Sequence, residues 1–137
     1  MGGVMFELDT RLEADSLHVA NLSLCTVRLM NDQRFPWLLL IPRRPNKEEV
    51  LDLAEQDQLE LWDEIRRLAR VLESLFSPDK LNIAALGNQV RQLHVHLIAR
   101  FKDDPAWPNP VWGNGAAEPY SDPSVEIGRL RSALEGS

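Results

Sequence analysis

The sequence predicts an α+β fold, on three observations: two strand-like segments in tandem, one long amphipathic stretch, and a second pair of strand-like segments after it. Residues 22–30 (LSLCTVRLM) alternate Leu22, Leu24, Thr26 and Arg28 against Ser23, Cys25, Val27 and Leu29, as a strand requires. Asn31-Asp32-Gln33-Arg34 reads as a turn. Residues 37–41 are continuously apolar and closed by Pro42, the pattern of a central strand buried on both faces. The two segments together predict a hairpin.

From residue 54 to 76 the apolar positions Leu61, Trp62, Ile65, Leu68, Ala69, Leu72, Leu75 and Phe76 recur at helical spacing. This helix is expected to stop at Ser77-Pro78, because proline has no N–H and restricts the residue before it. Residues 81–86 form the next strand. Gly87-Asn88-Gln89 breaks it, and residues 92–101 (QLHVHLIARF) resume strict alternation, so the last two strands are expected to lie antiparallel around a short connection. Beyond Lys102 the stretch DDPAWPNPVWGNG is too proline-rich for regular structure and too aromatic for a free linker. It is expected to pack on the body of the protein, with Trp107 and Trp112 covering the sheet or a subunit surface, or lining a pocket. Val125, Ile127, Leu130 and Leu134 predict a short terminal helix.

Length and charge narrow the function classes. The 137 residues, 44% of them hydrophobic, suit one domain. Cys25 is the single cysteine, so no internal disulfide is possible and a reducing, cytoplasmic setting is expected. The longest apolar run, residues 37–41, is far shorter than the roughly 20 residues that cross a bilayer. Residues 1–9 lack the basic start and apolar run of a secretory leader, and Met5 is a possible alternative start. Net charge is −6 with acids and bases interleaved, which disfavours a nucleic-acid duplex but not a single nucleotide.

The chemistry is expected on residues 92–96. In a strand, Gln92, His94 and His96 share one face, and Leu93, Val95 and Leu97 the other. Two imidazoles about 6.5–7 Å apart along a strand are spaced to share one phosphate. Three readings fit this pattern from spacing alone: a polar face of a half-exposed strand, a His-x-His metal pair, or a phosphate site. His18 is the only other histidine and reads as structural, so the remaining ligands for a metal are few.

Residues 86–100, LGNQVRQLHVHLIAR, closely resemble the signature of histidine triad (HIT) proteins, in which histidines alternate with apolar residues after a glycine and amide or small polar residues. The resemblance extends over roughly residues 20–101, since the hairpin, Asn31, Pro42 and the long helix occur in the family's order. It implies a HIT-like fold: a five-stranded antiparallel sheet with one long helix, usually paired as a homodimer. It implies that His94 attacks the α-phosphorus of a nucleotide, giving a nucleotidyl-histidine that water or another acceptor resolves. An imidazole of ordinary pKa near 6.5 offers a free nitrogen at neutral pH, and in the family a backbone carbonyl takes the other N–H.

By the same correspondence His96 hydrogen-bonds the phosphate and helps the leaving group depart. Asn88 and Gln89 contact phosphate, Asn31 holds the ribose hydroxyls, and Leu29 and Leu39 flank the base. Gln92 stands in the place of the first triad histidine, and Trp37 where many relatives carry another histidine. Glutamine positions a group but carries no proton through neutral pH, so a non-catalytic nucleotide-binding module is the alternative to an enzyme. The chemistry needs no metal and no other cofactor.

Overall fold

A computed structural model of the chain describes residues 5–137; residues 1–4, which precede the alternative start at Met5, lie outside them. The elements run α1 (Thr10–Asp15), β1 (Ser16–Asn21), β2 (Cys25–Met30), β3 (Trp37–Pro42), α2 (Glu55–Phe76), β4 (Lys80–Ala84), β5 (Val95–Arg100) and α3 (Pro123–Glu135). The strands form one antiparallel sheet in the order β1-β2-β3-β5-β4. The expected α+β architecture, with a long helix and a short C-terminal one, is the one observed.

Several boundaries differ from the sequence expectation, each for a local reason. Residues 22–24 are the β1–β2 turn rather than strand, closed by Leu22 N–H donating to the Cys25 carbonyl at 2.8 Å. The Glu64 carboxylate of α2 accepts from Leu24 N–H and Cys25 N–H, both at 2.9 Å, so the helix anchors that turn. β4 is Lys80–Ala84 rather than 81–86. β5 begins at Val95, not Gln92, because its last partners are Leu40 and Ala84 and Leu93 N–H turns to the Lys47 carbonyl instead. The helix end is as expected: Ser77 takes a left-handed conformation, φ 48°, and its N–H caps the Glu73 carbonyl before Pro78.

Strand parity sorts the sheet into two faces. Val27, Leu29, Leu38, Leu40, Val95, Leu97 and Ala99 pack beneath Leu61, Ile65, Leu68 and Leu72 of α2 and Leu130 and Leu134 of α3. The opposite face carries Trp37, Leu39, Ile41 and Ile98, joined by Phe35, Ala106, Val111 and Leu12. His94, His96 and Arg100 belong to this second face. The chain before β1 and the segment after β5 cover it.

The proline-rich segment packs as expected, through a buried ion pair. Arg100, 2% exposed, donates to both Asp104 carboxylate oxygens at 2.8 and 3.0 Å, to Asn82 Oδ1 and to the Asn109 carbonyl. Asp104 also accepts from the backbone N–H groups of Phe101, Ala106 and Trp107. Burial raises the Asp104 pKa, but Arg100 and these N–H groups outweigh it and hold the carboxyl down at about 2. Trp107 lies against Arg100, with 5.7 Å between its ring centroid and the guanidinium carbon.

Candidate active site

A cleft of about 650 Å³ opens on the second face of the sheet, large enough for a mononucleotide. His94, His96 and Trp37 line it together with Asn31, Asp32 and Arg34 after β2, residues 86–90 after β4, and Val111, Trp112 and Gly113 from the C-terminal segment. Gly87 turns the 86–90 connection at φ +74°, a conformation that favours glycine.

His94 and His96 stand 4.9 Å apart between ring centroids, at 7% and 5% exposure. His94 Nδ1 lies 2.6 Å from the carbonyl oxygen of Gln92. That oxygen can only accept, so Nδ1 carries a proton, and in the neutral ring Nε2 keeps the lone pair. The irregular backbone at residues 92–94 is what frees this carbonyl from a sheet ladder.

The partner of His96 is reversed in polarity. Trp37 Nε1–H, which can only donate, meets His96 Nδ1 at 3.0 Å, so Nδ1 accepts and the proton of the neutral ring is on Nε2. Trp37 and Trp112 flank the His96 ring at centroid distances of 5.7 and 4.9 Å. Burial, and then the neighbouring His94, lower the His96 pKa from its ordinary 6.5 to about 3. The unfolded chain thus binds a proton below pH 6.5 that the folded one refuses. The stability this gives is complete above pH 6.5 and drains away as pH falls toward 3, by up to about 1.4 kcal/mol per pH unit. His96→Gln, which keeps an acceptor for Trp37, is expected to flatten the fall of thermal stability between pH 6.5 and 4, measured by circular dichroism melts.

The expected site residues divide. His94, His96, Asn88, Gln89 and Asn31 all line the cleft. The Asn31 side-chain oxygen accepts from Tyr120 N–H at 3.0 Å, tying the C-terminal segment to the cleft rim. The Gln92 side chain does not line it: its Oε1 accepts from Asp9 N–H and its Nε2 donates to the Glu7 carbonyl, both at 2.8 Å, beside a smaller separate depression. The clamp expected of Leu29 and Leu39 is corrected. Leu29 pairs with Leu38 and faces α2, while Leu39 shares the histidine face but is wholly buried beneath the cleft. Met30, Leu12 and Val90 supply apolar lining instead.

Sequence reasoning missed Asp32 and Arg34, read only as a turn, which form an ion pair at 2.8 Å on the cleft wall. Of the two roles open to Trp112, covering the sheet or lining a pocket, it takes the second, on the cleft wall. His18 lies on β1 beside Thr26, far along the sheet from the histidine pair. Among the described residues no group of three or more His, Cys, Asp and Glu side chains is placed to hold a metal ion. No helix among them is long and apolar enough to cross a membrane.

Comparison with known proteins agrees with this geometry. The HIT domain family model matches residues 11–103. A histidine triad protein from Sinorhizobium meliloti is 47% identical, with 96% of each chain covered and a TM-score of 0.88. A second, from Bradyrhizobium japonicum, is 44% identical over 97% of this chain and 98% of its own, TM-score 0.90. A third, from Marinobacter aquaeolei, is 41% identical with the same coverage and a TM-score of 0.94. No curated protein matches the chain. The chain belongs to the histidine triad family, whose members are in general nucleotide-binding hydrolases and transferases.

Proposed function

We propose that the protein is a cytoplasmic, homodimeric nucleotidyl hydrolase or transferase that breaks a bond to the α-phosphate of a purine nucleotide, with His94 as nucleophile. The observation that carries this reading is the 2.6 Å contact of His94 Nδ1 with the Gln92 carbonyl, which leaves an unprotonated Nε2 on a nucleotide-sized cleft. His96 Nε2–H donates to a phosphoryl oxygen, and Asn88 and Gln89 contribute amides from the adjoining loop. Asn31 meets the ribose, and Met30 and Leu12 give the base an apolar seat. Gln92 acts through its backbone carbonyl and, by its side chain, fixes residues 7–9. The edge strand β4, with Ile83 exposed, supports pairing with a second copy.

The test is AMP release, followed by chromatography with a chelator present, from a dinucleoside polyphosphate, an adenylylated amine and an adenosine phosphoramidate. Turnover of at least one supports the enzyme. Nucleotide binding without AMP release from any would support the second reading, a binding module, which the loss of imidazoles at Gln92 and Trp37 favours.

A further inference from the structure

The contact between Trp37 and His96 does more than fill space, and its consequence concerns the leaving group. We propose that Trp37 is a positioning residue that fixes His96 as a neutral Nε2–H donor without general-acid capacity, confining the reaction to leaving groups that depart as stable anions. This rests on the nucleotidyl-transfer reading above.

Hydrogen-bond polarity sets the protonation of His96. Indole N–H has no lone pair to offer, so the 3.0 Å bond exists only while His96 Nδ1 is unprotonated. A proton added to the ring would go to Nδ1 and set two donors against each other in a buried place, where an unmade hydrogen bond is costly. Nothing nearby offsets that. The groups packed on His96 are His94 just before β5, Trp37 and Leu39 on β3, Ala84 on β4, and Trp112 from the C-terminal segment. The charged groups on the same cleft are Asp15, Asp32 and Arg34, and Asp32 is engaged by Arg34. Among the described residues no carboxylate is hydrogen-bonded to either imidazole. The low His96 pKa agrees with this geometry.

His96 therefore stabilises charge without giving up its proton, since loss of Nε2–H would leave an imidazolate. Gln92 cannot replace it, because its amide carries no transferable proton and is spent on Asp9 and Glu7. The transfer step then runs as follows in electrons. The His94 Nε2 lone pair forms an N–P bond, the bond from phosphorus to the bridging oxygen breaks, and its pair leaves on that oxygen. The oxygen departs as a phosphate or carboxylate anion while His96 Nε2–H donates to it. Water next attacks phosphorus, the N–P pair returns to Nε2, and the water proton goes to solvent. An alkylamine has no such exit, because without an acid it would leave as a strongly basic amide anion.

Two measurements test this. In long-range nitrogen–proton spectra of protein with 15N-labelled histidine, His96 is expected as the neutral Nε2–H tautomer throughout pH 5–8. In Trp37→Phe, which keeps a ring but loses the donor, neutral His96 is expected to populate both tautomers. A wild-type His96 protonated at Nδ1 overturns the proposal, as does an unchanged tautomer in a folded Trp37→Phe. In kinetics, kcat/KM for an adenosine 5′-phosphoryl anhydride is expected to exceed that for an adenosine 5′-N-alkylphosphoramidate by about 10²-fold or more, the usual reach of general-acid help. Equal rates, or preference for the amide, overturn it. If neither substrate is cleaved, the nucleotidyl-transfer reading fails along with the leaving-group claim, and the spectra separately decide whether Trp37 sets the tautomer.

Discussion

His94→Ala is expected to lower kcat by at least about 10³-fold while leaving the protein folded and able to bind AMP. In the proposed reaction this imidazole supplies the attacking electron pair, and the other imidazole of the cleft cannot: His96 has its Nδ1 taken by Trp37 and, in the neutral ring, its proton on Nε2. The structural cost should be small, since among the described residues the His94 side chain makes a single hydrogen bond, to the nearby Gln92 carbonyl. Calorimetric AMP affinity and a thermal melt distinguish the two effects. A variant that keeps kcat within tenfold of wild type contradicts the role given to His94.

The second large effect is expected at Asp104, outside the chemistry. Asp104→Ala removes the bidentate partner of Arg100, whose side chain is 2% exposed, leaves the Phe101 and Ala106 N–H groups of the turn without their acceptor, and leaves Trp107 N–H only the Asp104 carbonyl at 3.3 Å. Stranding a buried charge in this way costs about 3–5 kcal/mol, to be read from urea unfolding. The same turn leads to Val111 and Trp112 on the cleft wall, so KM should rise more than kcat falls. Arg100→Met with Asp104→Ala removes both charges and is expected to regain much of the stability, as replacing a buried pair by apolar atoms often does. If Asp104→Ala unfolds at wild-type urea, the pair does not hold the segment.

How much of this could be read from the sequence follows from what each element depends on. α2 was legible because one face of Glu55–Phe76 must meet the sheet, which imposes a helical repeat on Leu61, Ile65, Leu68 and Leu72. β1 and α1 were not: each is six residues long, and β1 is an edge strand in which burial falls at Ser16 and Val19, three residues apart across a register shift between His18 and Ala20, so the alternation of a strand is lost. The histidine pair was legible because strand parity alone puts His94 and His96 on one face. Parity also contradicts the expected clamp, since in a hairpin pairing Arg28 with Leu39, Leu29 must turn to the opposite face.

The polarity of the site was not legible. A tryptophan at position 37 reads as a missing imidazole, yet its N–H supplies a hydrogen bond to His96, and only coordinates show at which nitrogen. Trp112 reaches the cleft through a segment without periodicity. Its one sequence signal is Arg100 on the histidine face of β5 with Asp104 one turn later, a charge that has to be paired if the face is covered.

Whether the His94 lone pair becomes bonded to phosphorus is decided by rapid acid-free quenching of the protein with an adenosine 5′-phosphoryl anhydride, followed by intact mass spectrometry. The expected result is a transient species heavier by one adenylyl group, mapped to His94 and lost in His94→Ala. Turnover at full rate with no adduct on any histidine would mean that water attacks phosphorus directly, and would contradict a His94–phosphorus bond.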